Sequence, residues 1–440
     1  MADRYDVVIV GAGPGGLMAA RTARQEGLKV LLVEQKSEIA RVRRTCAEAL
    51  ITKPNCDGET VTVEGEKVIF HINDFSIRYR GPWVEMKQLL RIAPGGSKMI
   101  IEREETPVAR IFNKEVLLEG LLSEVQKSGC EIANETIGVK AENTEGGVIV
   151  TLQSKGKPRE VRSKIAIAAD GVNSRIVQSL GLNKERKLFG TPRVVSYILQ
   201  GVKSSFPNAF IMFQGKAYSG GQIGYGMPKA PRKAGDPPLY EVSGFTEEAL
   251  NQFLAQGKFS SWFRDAKVVY KTSAVLNFFD PILNPVAGKV MIVGDAASFI
   301  EVYVQGAIMY GYRAAKAAAK ELREGNGFAD YVSYWRESYE YNRPVKREEA
   351  IRTALGIPTL GDGELDYLFA LLEPQKIRSY YDEFDAPQHI IAAVMSHIPR
   401  IRQERPDLAG KIEFLFQASI EEVLKNGFEE KGEVTGDQAE

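Results

Sequence analysis

Gly11-Ala12-Gly13-Pro14-Gly15-Gly16 stands between an apolar run, Tyr5–Val10, and a helical pattern, Leu17–Glu26. Glycine at those spacings permits a tight turn at Gly11, backbone approach to a diphosphate at Gly13, and close helix–strand packing at Gly16. The helix that opens there presents free N–H groups and the positive end of its dipole to the diphosphate charge. Glu34 ends the second apolar run, Leu28–Val33, where a carboxylate can accept from ribose hydroxyls. These are the parts of a dinucleotide site.

Two later turns have the same character. Ala169-Asp170-Gly171 ends the apolar run Glu160–Ala168, and Gly294-Asp295 ends Lys289–Val293 ahead of a small-residue helix, Gly306–Glu324. The first turn does not separate NAD from FAD. Three nucleotide-type turns in one chain argue for a long dinucleotide, with Asp295 placed to hold a ribityl hydroxyl of FAD.

Other side chains could do chemistry. Cys46 reads as a flavin-proximal or redox thiol with Cys56 as partner, or as a small apolar core residue. Arg43 and Arg44 can neutralise a phosphate or belong to a solvated face. Arg110 is read as opening a helix through Gln126, where a cation gains nothing from the dipole; it would contact a ligand or form a surface ion pair. Tyr225, flanked by Gly224 and Gly226, can face a cofactor or simply pack.

The elements that must position these residues follow from periodicity. Tyr5–Val33 is a complete βαβ unit. Short alternating pieces between Thr60 and Glu105, and again over residues 190–280, predict antiparallel strands. Beyond Asn326 the pattern is helical and aromatic-rich. There Tyr331, Tyr334, Trp335, Tyr339 and Tyr341 are expected to bury against the sheet, with a lipid tunnel or a membrane contact as alternatives. The acidic stretch Glu429–Glu440 reads as a disordered tail.

Composition sets the limits. In 440 residues, 57 basic side chains balance 57 acidic ones, which gives no electrostatic case for nucleic acid. Three cysteines cannot build a disulfide framework and suit a reducing compartment. Three histidines lie far from metal-ligand spacing, so no metal is expected. Met1-Ala-Asp-Arg-Tyr-Asp lacks the features of an export signal, and no window has the length of a membrane span. The expected location is cytoplasmic, with peripheral membrane contact left open.

The order GAGPGG, ADGVNSR and VGDAASF resembles the FAD-dependent oxidoreductases of the para-hydroxybenzoate hydroxylase type, and among them most resembles the geranylgeranyl reductase family. Arg43-Arg-Thr-Cys46-Ala-Glu48-Ala-Leu50 is similar to that family's basic-x-Cys-Gly-Glu-Gly-Leu segment, and Val108–Asn113 to its Arg-x-x-Phe-Asp helix start. Gly306-Ala307-Ile308 and Leu360–Leu368 are similar to its late loop and a C-terminal helix. Where the family has Tyr-x-Trp-x-Phe-Pro, this chain has Ile223-Gly-Tyr225-Gly-Met227-Pro228, so Ile223 and Met227 are expected to loosen the pocket. Val302 replaces a family proline, and Gln305-Gly306-Ala307 stands where the family has three consecutive glycines.

The resemblance implies an α/β fold: a Rossmann-like FAD-binding domain (1–55, 106–190, 281–330), an inserted antiparallel-sheet substrate domain (56–105, 191–280) and a helical C-terminal region (331–440). It implies cofactor contacts from Gly11 to Gly16, from Glu34, Gln35, Arg44, Cys46, Ala47, Arg110 and Ile137, and from Ala169, Asp170 and Gly171. Gly294, Asp295, Gly306, Ala307 and Ile308 complete that set, and Cys46 and Tyr225 bracket the reacting face. The implied activity is reduction of a carbon–carbon double bond in an apolar or lipid substrate by flavin hydride, with NAD(P)H or a ferredoxin-type protein as electron donor. A monooxygenase on the same scaffold and an electron-transfer subunit without its own substrate are the alternatives.

Overall fold

The computed structural model describes residues 4–381 and 385–423. The opening βαβ unit is β1 (Arg4–Val10), α1 (Pro14–Gln25) and β2 (Val30–Val33). A hairpin, β3 (Gln88–Ile92) and β4 (Lys98–Glu102), precedes α2 (Lys114–Lys127). Next come β5 (Glu131–Ala133), β6 (Thr136–Thr144), β7 (Gly147–Ser154) and β8 (Lys157–Ala168). The second strand-rich stretch holds β9 (Arg193–Gln200), β10 (Ala209–Phe213), β11 (Ile223–Lys229), β12 (Leu239–Gly244), α3 (Glu247–Gln256) and β13 (Lys267–Val275). Then follow β14 (Val290–Ile292), α4 (Tyr303–Glu324), α5 (Gly327–Ser338) and, among the later helices, β15 (Ile377–Arg378).

Two large sheets organise the molecule. The first runs β5-β2-β1-β8-β7-β6, with β14 parallel to β8. In its parallel part Val10 pairs with both Val33 and Ala168, and Ala168 with Ile292. Strand ends in one register deliver the turns at Gly11, Ala169 and Gly294 to a single edge, which is where open parallel sheets bind ligands. β1 and β2 are buried along Tyr5 and Val7–Val10 and along Val30–Val33, as their unbroken apolar runs require.

The second sheet runs β13-β9-β12-β11-β10-β3-β4-β15. Its strands present alternate residues to two cores, with register shifts in the pairing of β9 with β13 and of β11 with β12. Ala209, Ile211 and Phe213 point into a core closed by Leu250, Phe253 and Trp262, while Phe210 joins the core shared with the first sheet. The expected α/β class and helical C-terminal region are what folds, but the second sheet is mixed rather than antiparallel throughout, because β10 runs parallel to β3 and β15 parallel to β4.

Several local expectations shift. Arg110 lies in a strand, Ala109–Ile111, and the helix starts only at Lys114, capped by Asn113, whose side chain accepts from Val116 N. An Asn cap is a stronger start signal than a cation before it. Residues 61–78 form a separate three-stranded sheet, with Phe75 stacked on Tyr312 of α4. Tyr331, Trp335, Tyr339 and Tyr341 of the aromatic cluster are buried, as expected, and Tyr334 is half-buried. Tyr331 donates to Ile292 O at 2.8 Å and Trp335 to Ile282 O at 2.8 Å, which ties α5 to the end of β14. Glu429–Glu440 lies outside the described residues.

Contact between α1 and α4 depends on missing side chains. A Cβ on Gly311 would lie 2.1 Å from Gly15 O, a backbone atom that cannot swing away. Gly410, by contrast, has no atom within 4 Å of such a Cβ and lies inside a helix, Pro406–Gln417. Gly311→Val is therefore expected to cost about 3 kcal/mol or more, and Gly410→Ala to stabilise by roughly 0.5–1 kcal/mol. Thermal melts of the two variants check this; a Gly311→Val melting point equal to that of the parent would contradict the packing argument.

Candidate active site

The nucleotide edge is built from backbone. Gly11 has φ +97°, and a Cβ there would lie 2.3 Å from Ala169 O. A Cβ on Gly16 would lie 1.8 Å from Gly11 O. Gly13, the residue before α1, is different: apart from its own chain neighbours, no protein atom among the described residues lies within 4 Å of where its Cβ would be. The space above Gly13 faces the start of α1, as a diphosphate site needs.

Glu34 is buried and holds the turn: its Oε2 accepts from Ala12 N at 2.7 Å and its Oε1 from Lys36 N at 3.0 Å. A carboxylate has further lone pairs for a ribose hydroxyl. Gln35 beside it is exposed. Asp170 serves the protein first, accepting from Ser174 Oγ at 2.6 Å and Ile176 N at 3.3 Å, and so fixes the Ala169–Gly171 turn. Arg44 reaches that turn: its Nη1 lies 3.9 Å from the position of a Gly171 Cβ. Its Nη2 is 3.9 Å from Glu301 Oε1 and finds no hydrogen-bond partner among the described residues. An unsatisfied guanidinium nitrogen beside the Gly171 turn fits an anionic diphosphate.

The late segment closes the edge. Gly294 has φ +67°, Asp295 Oδ1 accepts from Val302 N at 3.1 Å, and Ala307 O would lie 3.0 Å from a Cβ on Gly15. Gly306, Ala307 and Ile308 sit in the first turns of α4, whose first residue, Tyr303, is held at φ +56°. Gln305 Oε1 accepts from Ile51 N at 2.6 Å and ties α4 to the segment after Cys46.

Cys46 and Tyr225 meet through groups that sequence reasoning missed. Tyr225 donates to Glu241 Oε1 at 2.9 Å, and Glu241 Oε2 lies 3.1 Å from Lys229 Nζ. Lys229 Nζ is 3.5 Å from Glu48 Oε2 and donates to Cys46 O at 2.8 Å. Lys114 completes the cluster, its N donating to Glu48 Oε2 at 3.3 Å and its Nζ to Cys46 Sγ at 3.4 Å. The side chains of Lys229 and Glu241 are 3% and 1% exposed, so this is an ion cluster inside the protein.

Burial acts on Lys229, Glu48, Tyr225 and Cys46. It would lower Lys229, but Glu48 and Glu241 outweigh it and hold the ammonium above its usual range. Burial pushes Glu48 up against the pull of Lys229. Burial and Glu241 raise the Tyr225 phenol well above its usual range, and burial raises the Cys46 thiol although Lys114 opposes it.

An aromatic wall adjoins the cluster. Tyr225 stacks on Phe210 at 4.9 Å, Phe210 meets Tyr381 edge-on at 5.7 Å, and Tyr381 meets Tyr303 at 5.6 Å. The wall thus runs from the second sheet to the start of α4.

Other candidates lie elsewhere. Arg110 forms a surface pair with Glu85 at 3.4 Å. Cys46, Cys56 and Cys130 are free thiols, so Cys46 and Cys56 form no disulfide. Ile137 pairs with Gln153 in β6, next to Gly138, where a Cβ would lie 2.4 Å from Val10 Cγ1 at the nucleotide edge. Ile223 does not share the face of Tyr225. The register shifts between those residues, and Ile223 packs with Val242 and Leu250 in the second core, while Met227 stays on the inner side.

Comparisons with known proteins agree with this architecture. The family described as pyridine nucleotide-disulphide oxidoreductase matches residues 5–190. The chain is 27% identical over 368 residues to a digeranylgeranylglycerophospholipid reductase of Methanosphaerula palustris, covering 77% of this chain and 83% of that one. A geranylgeranyl bacteriochlorophyll reductase-like protein of Thermoplasma acidophilum superposes with TM-score 0.66 at 19% identity, over 92% of this chain and 99% of that one. A p-nitrophenol 4-monooxygenase of Pseudomonas putida superposes with TM-score 0.61 at 14% identity, over 90% and 98%. The resemblance to the geranylgeranyl reductase family is borne out. The fold itself is common to reductases and monooxygenases. Among the described residues no helix is long and apolar enough to cross a membrane.

Two outcomes are expected. Gly13→Val should fold and melt like the parent, because the protein leaves that space open, yet should abolish retention of the dinucleotide; the bound chromophore after gel filtration reads this. Lys229→Met should cost about 3–5 kcal/mol, because two buried carboxylates lose their counter-ion. Adding Glu241→Gln should recover part of the loss in denaturant melts, and a double variant no better than the single one would argue against the ion cluster.

Proposed function

We propose that this chain, a flavin-dependent oxidoreductase similar to the geranylgeranyl reductases, binds FAD and reduces carbon–carbon double bonds of an apolar, isoprenoid or lipid-like substrate. The observation that carries the reading is the junction itself. A nucleotide edge of three register-matched turns meets an aromatic wall, with a buried cluster of proton-bearing groups between them. When bound in its reduced form, FAD supplies hydride to the substrate.

The remaining work belongs to this chain's own residues. The space above Gly13, the Gly171 and Gly294 turns, Glu34 and Arg44 would hold the diphosphate and ribose, and Asp295 with the start of α4 the ribityl and ring end. Asp170 acts at one remove, by fixing its turn. Tyr225, Phe210, Tyr381 and Tyr303 offer flat apolar surface to a chain-like substrate and exclude water, which matters because an isolated alkene is a poor hydride acceptor.

The second hydrogen has to arrive as a proton, and beside the two ammonium groups the junction holds two neutral acids, Tyr225 and Cys46. The Tyr225 hydroxyl is committed to Glu241, an anion that makes it a weaker acid. The Cys46 thiol faces an ammonium group instead. NAD(P)H or a ferredoxin-type protein is the proposed electron donor, and peripheral contact with a membrane the proposed route to a lipid substrate.

Anaerobic photoreduction tests the reading against its monooxygenase alternative. A geranylgeranylated glycerolipid added under nitrogen should restore the oxidised flavin spectrum and leave a lipid with two more hydrogens per reduced bond. Reoxidation that occurs only in air, with a hydroxylated product, would replace the reductase reading by the monooxygenase one.

A further inference from the structure

We infer that Lys114 is a positioning residue that makes the Cys46 thiol the proton donor of the proposed reduction. The inference rests on the reductase reading above and deepens it by assigning the acid.

The geometry is specific. Lys114 is the first residue of α2, and its backbone N is engaged by Glu48 Oε2 at 3.3 Å, which fixes where its side chain starts. Its Nζ then donates to Cys46 Sγ at 3.4 Å. From the opposite side Lys229 Nζ donates to the Cys46 carbonyl at 2.8 Å and to that of Ala47 at 3.5 Å, so the thiol's own backbone is held by a second buried cation. The charged groups that face the thiol are Lys114 from α2, Lys229 from β11, Glu48 from its own segment and Glu301 from the loop before α4. Burial, Glu301 and Glu48 keep the thiol protonated before reaction, while the two lysines favour the thiolate that reaction would leave. A group protonated at rest, with a cation already aimed at its conjugate base, is organised to release a proton.

The step balances. The Cys46 S–H bond breaks and its proton forms a C–H bond at one alkene carbon, while the S–H electron pair stays on sulfur as thiolate. The other carbon takes a hydride, with both its electrons, from the two-electron donor, reduced FAD. The alkene gains two hydrogens and the donor is oxidised. An ammonium proton of Lys114 then returns to sulfur along the existing contact, and solvent restores the lysine.

The role can be read without turnover. In the full-length protein as purified, alkylation of Cys46 by iodoacetamide is followed against pH, with the Cys46 peptide quantified by mass spectrometry separately from Cys56 and Cys130. Lys114→Met should move the reactivity midpoint up by about one pH unit or more, slowing alkylation roughly tenfold below it. Lys114→Arg should return most of the shift. Glu301→Gln should move the midpoint down, because an opposing anion is gone; it keeps the inference testable if Lys114→Met folds poorly. The pH profile of flavin reoxidation by the geranylgeranylated lipid should move with the same midpoints.

Coincident midpoints in the parent and Lys114→Met would overturn the inference. A parent protein whose reduced flavin ignores the lipid would instead overturn the reductase reading, and the alkylation series would still report the Lys114–Cys46 coupling on its own.

Discussion

A lysine ammonium buried between two carboxylates ties the second sheet to the segment that carries Cys46. Removing such a charge from water costs several kcal/mol unless counter-ions and hydrogen bonds replace the solvent. Lys229 belongs to β11 of the second sheet, and Glu241 is on its neighbour β12. Glu48 and the Cys46 carbonyl come from the segment after β2 on the cofactor side. Apolar surfaces can slide over one another at modest cost, but an ion cluster with donors at 2.8–3.5 Å has few alternative arrangements. The cluster thereby sets the position of the second sheet's inner face, with Tyr225 on it, relative to Cys46.

Backbone does the equivalent work on the cofactor side. Gly11, Gly16 and Gly311 are places where main chain touches main chain, and any Cβ would collide with a carbonyl. Gly13 is the exception, being small for the sake of space that the protein itself does not fill. The same residue type therefore plays two physical parts within six positions. Gly11 and Gly16 enforce the close approach of strand, helix and turn, as Gly311 does from α4, and Gly13 leaves room for what the approach creates.

Those parts differ in how far they could be read from the sequence. The strand–turn–helix unit is local, since apolar runs, glycine spacing and Glu34 all lie within thirty-four residues, and the structure places them together. Lys229, Glu241 and Lys114 were illegible because a charge is ordinarily a solvated face, and pairing across the chain leaves no local trace. A faint signal existed in the period of two. Tyr225, Met227 and Lys229 share a parity in an otherwise apolar strand, and Glu241 stands between Tyr240 and Val242, so charges were being directed inward. The bulge near Gly224 breaks the same parity rule and sends Ile223 to the other face, which sequence spacing could not show. Arg110 was misplaced because the helix signal that follows belongs to its Asn113 cap.

A polar cluster and an aromatic wall at one junction are contradictory demands unless the chemistry needs both. Aromatic surface favours a dry site for an apolar substrate, and dryness strengthens every remaining electrostatic interaction. A dry site, however, cannot draw its proton from bulk water at the moment of reaction. The proton has to be stored in the protein, on a group that burial keeps neutral and that a fixed cation can relieve of its charge once the proton leaves. Tyr225 and Cys46 are both kept protonated by burial, yet only Cys46 has an ammonium aimed at the atom that would carry the charge; Tyr225 has a carboxylate. Placed on the two arms of one cluster, the phenol holds the wall and the thiol holds the proton, and the lysines let a largely apolar junction keep both.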